Sequence, residues 1–160
     1  MPIEMQIVID FCRFLTDVHG KPTLAHFGDK IQRQEIAAEI AASGISRWLV
    51  PERNDKGDEI ANATENNVQT FRADLVIIGE KASDCVKENL ALLGLVYMST
   101  DGIVGKNPAP VQWDGTAQSL GKMDIYRFDP IGDEIILAAV EWDGKFVVEQ
   151  PVIISAEKIP

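Results

Sequence analysis

Cysteine and histidine are scarce in this sequence, which has two of each among 160 residues. Cys12 and Cys85 lie far apart in the chain and form no C-x-x-C pair, so neither a disulfide framework nor a thiol redox motif is predicted. His19 and His26 have Pro22 between them, and the H-E-x-x-H and EF-hand patterns are absent. We therefore expect buried free thiols, no bound metal and no cofactor.

Long apolar runs are also missing. A membrane-spanning helix needs about 18 or more consecutive apolar residues, and no such stretch occurs. The first residues lack the basic segment of a signal peptide, since Glu4 comes early and Asp10 interrupts the apolar run. These absences predict a soluble protein of the reducing cytoplasm.

Positively charged residues are fewer than negatively charged ones. The 25 Asp and Glu residues outnumber the 15 Lys and Arg residues, which gives a formal net charge of −10. Such a surface repels phosphate groups, so neither nucleic acid nor an anionic membrane is an expected partner. A basic protein partner suits this charge, because complementary fields speed association. Solubility alone would also account for it.

The remaining composition is that of a globular protein, with 46% hydrophobic and 25% charged residues. We expect residues 1–160 to form a single domain. Its parts are a mixed α/β part over 1–100, a Gly/Pro-rich connector over 101–122 and a β-meander over 123–160.

Three helices are predicted. Over residues 3–18, polar side chains recur every three or four positions, which indicates one face of a helix. The alternative is a hairpin turning at residues 19–22, since the run 7–9 favours a strand. A second helix, 29–43, has Asp29 as its predicted N-cap and Gly44 after its last turn.

A short strand is predicted at 46–50, where Pro51 should stop it. The polar stretch 52–67 is predicted as a loop that ends in a short helix near 66–72.

The clearest pattern is strand, helix, strand. Residues 73–79 (ADLVIIG) form an apolar, β-branched run, residues 82–93 have helical spacing, and residues 95–99 (LVYMS) form a second apolar run. A crossover of this length predicts two parallel neighbouring strands.

The C-terminal part predicts an antiparallel meander of strands 123–128, 134–142 and 146–154, with its tightest turn at Asp143-Gly144. Pro151 predicts a sheet edge or a bulge for the last strand. The predicted fold class is therefore α/β (or α+β), with about three helices, a mixed sheet containing the short parallel β-α-β unit 73–99, and an antiparallel β-meander over 123–154.

Candidate ligand-binding residues follow from this topology. Parallel sheets bind ligands beyond the carboxyl ends of their strands, where Glu80, Lys81, Ser83 and Asp101 would share a crevice. The alternative is an ordinary strand end at which Ser83 caps the next helix.

Candidate interface residues are Trp113, Trp142 and Asp143, because tryptophan beside a loop is typical of an interface. The alternative is that these tryptophans cover the core. Dinucleotide-binding, P-loop and nucleophile-elbow motifs are absent.

These observations favour a non-catalytic, acidic protein-interaction module, such as an inhibitor, immunity, adaptor or accessory protein. The alternative is a small α/β enzyme or ligand-binding domain that uses the crevice at the carboxyl ends of strands 73–79 and 95–99. Scattered residues can assemble a site without a motif, so the sequence leaves catalysis open, and homo-oligomerisation with it.

Overall fold

The computed structural model describes residues 5–158, except 6–7, 10, 14, 17–19, 29, 54–61, 66–67, 94–95, 99–101, 105–110 and 113–122. Helix α1 comprises the described residues between 5 and 16, all of which are helical. The other described elements are α2 (Arg33–Ser43), α3 (Ala82–Leu92), β1 (Leu24–Ala25), β2 (Ser46–Pro51), β3 (Asn62–Glu65), β4 (Val68–Gly79), β5 (Val96–Met98), β6 (Gly102–Val104), β7 (Val111–Gln112), β8 (Met123–Pro130), β9 (Val140–Trp142) and β10 (Lys145–Lys158).

Eight of these strands form one mixed sheet, in which six follow one another in the order β1-β2-β4-β10-β8-β7. The other two strands, β3 and β9, are not part of this order: β3 pairs with β4, and β9 pairs with β10. The β1–β2 pair is parallel and every other described pair in the sheet is antiparallel. Strands β4 and β10 form its centre, since every residue of β4 pairs with a residue of β10.

One face of the sheet carries the main core, and we call it the core face. Leu75 and Ile77 of β4 and Val148 of β10 point into it, and each is at most 1% exposed. Helix α1 contributes Phe11 to this cluster and helix α3 contributes Cys85. Side chains alternate along a strand, so the residues between these belong to the opposite face.

The opposite face, which we call the open face, is covered only in part. Helix α2 places Ile36 on it, against Trp48 of β2 and Ile78 of β4. Asp74 and Glu149 lie further along the same face and are exposed. One face is therefore closed by two helices, while α2 covers one corner of the other.

The ends of α2 have clear local causes. Its start is at Arg33, where the backbone N–H of Gln32 donates to Glu35 Oε2 at 3.0 Å. The N-cap residue is Gln32 and not the predicted Asp29, which lies outside the described residues. At the other end Gly44 has the left-handed φ of 82° and donates its N–H to Ile40 O, as predicted from the glycine.

Gly79 ends β4 where α3 packs closely on the sheet. A Cβ atom built there would lie 3.1 Å from Cys85 Sγ and 3.3 Å from Ile45 Cγ1. Only glycine lets the sheet and the helix approach this closely without a shift of either neighbour.

The mixed α/β class, the three helices and the antiparallel C-terminal part are confirmed, but the predicted parallel unit 73–99 is wrong. Strand β5 pairs with β6 in a separate two-stranded sheet. Strand β4 has the antiparallel strands β2 and β10 as its neighbours. An apolar run indicates only that both sides of a strand are covered, and a central antiparallel strand between helices meets that condition as well as a parallel one.

The expectation that Pro151 marks a sheet edge or a bulge is also wrong, because β10 is a central strand whose described register shift lies between Glu157 and Lys158. On its β4 side Pro151 stands opposite Asp74. On the other side the described ladder partners stop at Val147 and resume at Val152. Pro151 O accepts from the side chain of Gln150, so the proline faces this gap, where its missing N–H breaks no ladder bond.

The side chain of Gln150 fills that gap. It is fully buried, and its Oε1 accepts from Ile136 N at 2.9 Å and from Asn89 Nδ2 at 3.1 Å. Its Nε2 donates to Glu134 O at 2.7 Å. One amide therefore holds residues 134–136 against β10 and α3 in place of a strand.

Two smaller predictions fail for local reasons. No helix forms near 66–72, because β4 already begins at Val68. Residues 134–139 are not the strand that was predicted, and only Val140–Trp142 of that segment pairs. The hairpin turn is confirmed, since Asp143 and Gly144 have φ values of 51° and 77°.

Candidate functional site: a cleft on the open sheet face

The open face forms the floor of a cavity of about 690 Å³, which we call the cleft. Its walls come from the segment before α2 and from β9. Its lining residues are His26, Lys30, Ile31, Ile36, Val50, Asp74, Val76, Ile78, Ile136, Ala138, Val140, Glu141, Trp142, Val147 and Glu149.

Strand register sets the floor of the cleft. Ile78, Val147 and Val140 are cross-strand neighbours and form an apolar row from α2 to β9. In the next row, Val76 pairs with Glu149. Asp74 stands one row further along, so Asp74 and Glu149 are diagonal neighbours whose Cα atoms lie roughly 7–8 Å apart by sheet geometry.

The two walls meet at one end of the cleft. Arg33 Nε, in the first turn of α2, lies 3.3 Å from Asp143 Oδ2 at the tip of the β9–β10 hairpin. Their side chains are 74% and 44% exposed, so this ion pair contributes little stability. It does mark where helix and hairpin approach each other.

The cleft is more acidic than basic. Asp74, Glu141 and Glu149 are among its lining residues, with Lys30 as the one lysine or arginine. Strand alternation directs the side chain of Glu141, which pairs with Phe146, to the other face of the sheet. Although Asp74 as a residue is exposed, desolvation raises the pKa of its carboxyl, and the Glu52 carboxylate raises it further. A carboxylate in this position is stabilised by a cation placed beside it.

The β9 wall presents apolar side chains to solvent. Val140 is 69% exposed and Trp142 is 39% exposed, and Leu137 of the preceding segment is 51% exposed. Large side chains grouped in this way mark interaction sites more often than single exposed ones do.

The two thiols are not placed for catalysis. Cys12 and Cys85 are buried and free, as the sequence predicted. Burial raises the pKa of Cys12 strongly and that of Cys85 to about 11. The Cys85 thiol donates to Phe146 O at 3.4 Å. Burial and a raised pKa both disfavour the reactive thiolate form of these two cysteines.

The sequence-derived ligand site is not assembled as expected. Glu80, Lys81 and Ser83 are exposed at the junction of β4 and α3, and they line neither of the two described cavities. Lys81, not Ser83, is the N-cap residue of α3. Asp101 lies outside the described residues. The crevice required parallel pairing of two strands that lie in different sheets, so its geometric basis is absent.

The interface candidates lie in different places. Trp142 lines the cleft and is part of its exposed β9 wall. Asp143 forms the hairpin turn and the ion pair with Arg33. Trp113 lies outside the described residues.

The sequence reasoning missed Asp74, Val140 and Glu149. A usable signal existed, because Asp74 interrupts the run ADLVIIG and Glu149 interrupts FVVEQPVII. A single acid inside an otherwise apolar strand indicates a face that is open to solvent or to a ligand. The exposure of Val140 had no such signal, because it depends on which strand stands beside it.

No protein-family model matches this chain, and no curated protein or solved structure shows significant similarity to it. Within the described part of the chain, no three histidine, cysteine or acidic residues are grouped as metal ligands are. No helix formed by the described residues is both long enough and apolar enough to span a membrane.

Proposed function

We propose that this chain is a non-catalytic interaction module whose cleft binds a basic, partly apolar segment of a partner protein. The observation that carries the proposal is the pairing of an apolar floor with the carboxylates of Asp74 and Glu149 in one concave site. An apolar row favours burial of a partner side chain. The carboxylates select positive charge on its neighbours.

The distribution of charge along the chain supports a basic partner. Residues 129–149 contain six Asp and Glu residues and one lysine. This segment forms β9, the hairpin and the wall residues Ile136 and Ala138. Two of these acids, Glu141 and Glu149, are lining residues of the cleft, and the negative charge of the segment can steer a cationic partner.

A labelled peptide tests the proposal directly. The probe is a fluorescein-labelled nonapeptide of alternating lysine and valine, and its matched control has glutamate in place of lysine. Fluorescence anisotropy with the intact protein should show saturable binding of the lysine peptide that weakens as salt rises. If the glutamate peptide binds as well as the lysine peptide, the charge argument fails.

Substitutions locate the binding site. Asp74→Asn and Glu149→Gln should each weaken binding about threefold, the loss expected for a partly exposed ion pair. The controls Glu80→Gln and Asp84→Asn change the net charge equally at exposed positions outside the cleft. Equal losses in all four variants would mean that only the overall charge matters, and the cleft would not be the site.

A second candidate is binding of a small cationic molecule. The cavity volume of about 690 Å³ falls within the range of ligand pockets, which is about 300–1,000 Å³. Hexylamine is a suitable probe, because it combines one cation with a short apolar chain. Displacement of the peptide by millimolar hexylamine, at constant ionic strength, would favour this candidate. Displacement equal to that by potassium chloride would count against it.

A further inference from the structure

We infer that the partner segment binds as an added β-strand along the outer edge of β9, an inference that rests on the proposed function of the cleft. The edge consists of Val140, Glu141 and Trp142. Within the described residues β9 has β10 as its single neighbour in the sheet, and no other described strand pairs with its outer side.

The hairpin turn determines which backbone groups point outward. Trp142 and Lys145 flank a two-residue turn, so they form a hydrogen-bonded pair, and so do Val140 and Val147 two positions on. Glu141 stands between these pairs. Its N–H and C=O therefore point away from β10, where an added strand can bind both.

This edge lacks the protection that natural sheet edges usually carry. Charges, prolines and bulges normally discourage strand pairing, and among the described residues β9 has only its short length and Glu141 as such protection. Val140 and Trp142 lie on the open face, since Val140 pairs with Val147 of the apolar row. An added strand would extend that row by one side chain.

Charge selects a foreign basic segment over a second copy of this chain. Two copies pairing antiparallel through β9 would bring the two Glu141 side chains together, with Asp143 nearby on each hairpin. Like charges directly opposite each other destabilise a strand pair. A segment with lysine or arginine opposite Glu141 reverses this interaction. The expected partner is an extended stretch in which apolar side chains beside Val140 and Trp142 alternate with a basic side chain opposite Glu141.

N-methylation of the peptide tests strand addition independently of the cleft. In an added strand, alternate amides face β9 and the others face solvent. Single N-methyl groups placed along the lysine–valine peptide should weaken binding at every second position, by about fivefold or more for each lost hydrogen bond. The intervening positions should have little effect.

Substitutions of Glu141 in the protein test strand addition in a second way. Glu141→Pro removes the outward N–H without removing a bond to β10, and proline is tolerated at such edge positions. Glu141→Gln removes the charge but keeps the N–H. Strand addition predicts that the proline variant binds the peptide at least fivefold more weakly than the glutamine variant, while the melting temperatures of the two agree.

The peptide experiments can contradict strand addition without contradicting binding in the cleft. Peptide binding that depends on Asp74 and Glu149 but shows no two-residue periodicity on N-methylation would retain the cleft and overturn strand addition. Absence of peptide binding would overturn both. If the protein elutes as a dimer that Glu141→Lys dissociates or tightens, the edge is a self-association site and the inference is wrong.

Discussion

The buried amide of Gln150 should contribute strongly to the stability of the fold. Leucine at this position fills nearly the same volume but makes no hydrogen bonds. Gln150→Leu would leave Ile136 N, Glu134 O and Asn89 Nδ2 without their bonds to this amide. Each unpaired buried group costs about 1–3 kcal/mol, and part of that cost returns as apolar burial and water access.

We therefore expect Gln150→Leu to lower the free energy of unfolding by about 3 kcal/mol. Urea denaturation followed by circular dichroism measures it. The matched control is Gln34→Leu, the same change at an exposed position of α2, which should stay within about 0.5 kcal/mol of the parent.

Hydrogen exchange adds a local measurement. The Ile136 amide should exchange faster in Gln150→Leu, while amides at the centre of β4 keep the protection set by global unfolding. A stability loss below about 1 kcal/mol, or one equal to that of Gln34→Leu, would refute the view that Gln150 anchors residues 134–136 to the sheet.

Three further predictions concern buried and half-buried ionisable groups. Glu88→Gln should cost about 3 kcal/mol in urea denaturation, because it leaves the fully buried Arg47 guanidinium without the carboxylate that lies 2.7 Å from it; a loss under about 1 kcal/mol would contradict this. Since burial raises the pKa of Cys85 to about 11, an aromatic disulfide reagent at pH 8 should leave the folded protein unmodified, yet label two thiols in guanidinium; rapid labelling when folded would contradict it. Asp74→Asn should stabilise the protein at pH 7, with a gain that disappears on acidification.

The direction of this predicted pH dependence follows from the raised pKa of Asp74. The folded protein holds the proton more tightly than the unfolded chain, whose carboxyl keeps a pKa near 3.8. Stability therefore falls as pH rises from the unfolded pKa through the folded pKa, and the penalty is absent below both values. The Asp74→Asn variant carries no such penalty, because its side-chain amide does not ionise. Thermal melts between pH 3 and pH 7 should show the two proteins converging at the acidic end, and a constant difference across that range would contradict the cause.

Some elements could be predicted because their determinants are local. Helix α2 ends at Gly44 because glycine adopts the left-handed conformation at low cost. The Asp143-Gly144 turn forms for the same reason. Strand β4 and helix α3 follow from apolar runs whose period is visible in the sequence.

The wrong prediction for Pro151 shows that a local sequence rule cannot identify the neighbours of a strand. The rule that proline belongs at a sheet edge assumes that a neighbouring strand needs its N–H. In β10 the partner ladder has a gap at that position, and the side chain of Gln150 provides the bonds instead. Whether a strand has neighbours on both sides is a property of the whole sheet.

By itself, the sequence determined the mixed α/β class, the acidic charge, the buried thiols and the main helices and turns, because these depend on composition and on contacts between residues close in the chain. Tertiary structure alone decided that residues 73–79 lie between antiparallel strands, and that Asp74, Glu149 and Val140 share one cleft. The physical reason is that strand pairing joins segments distant in sequence. The sum of many weak backbone and packing interactions chooses among pairings that an apolar pattern permits equally.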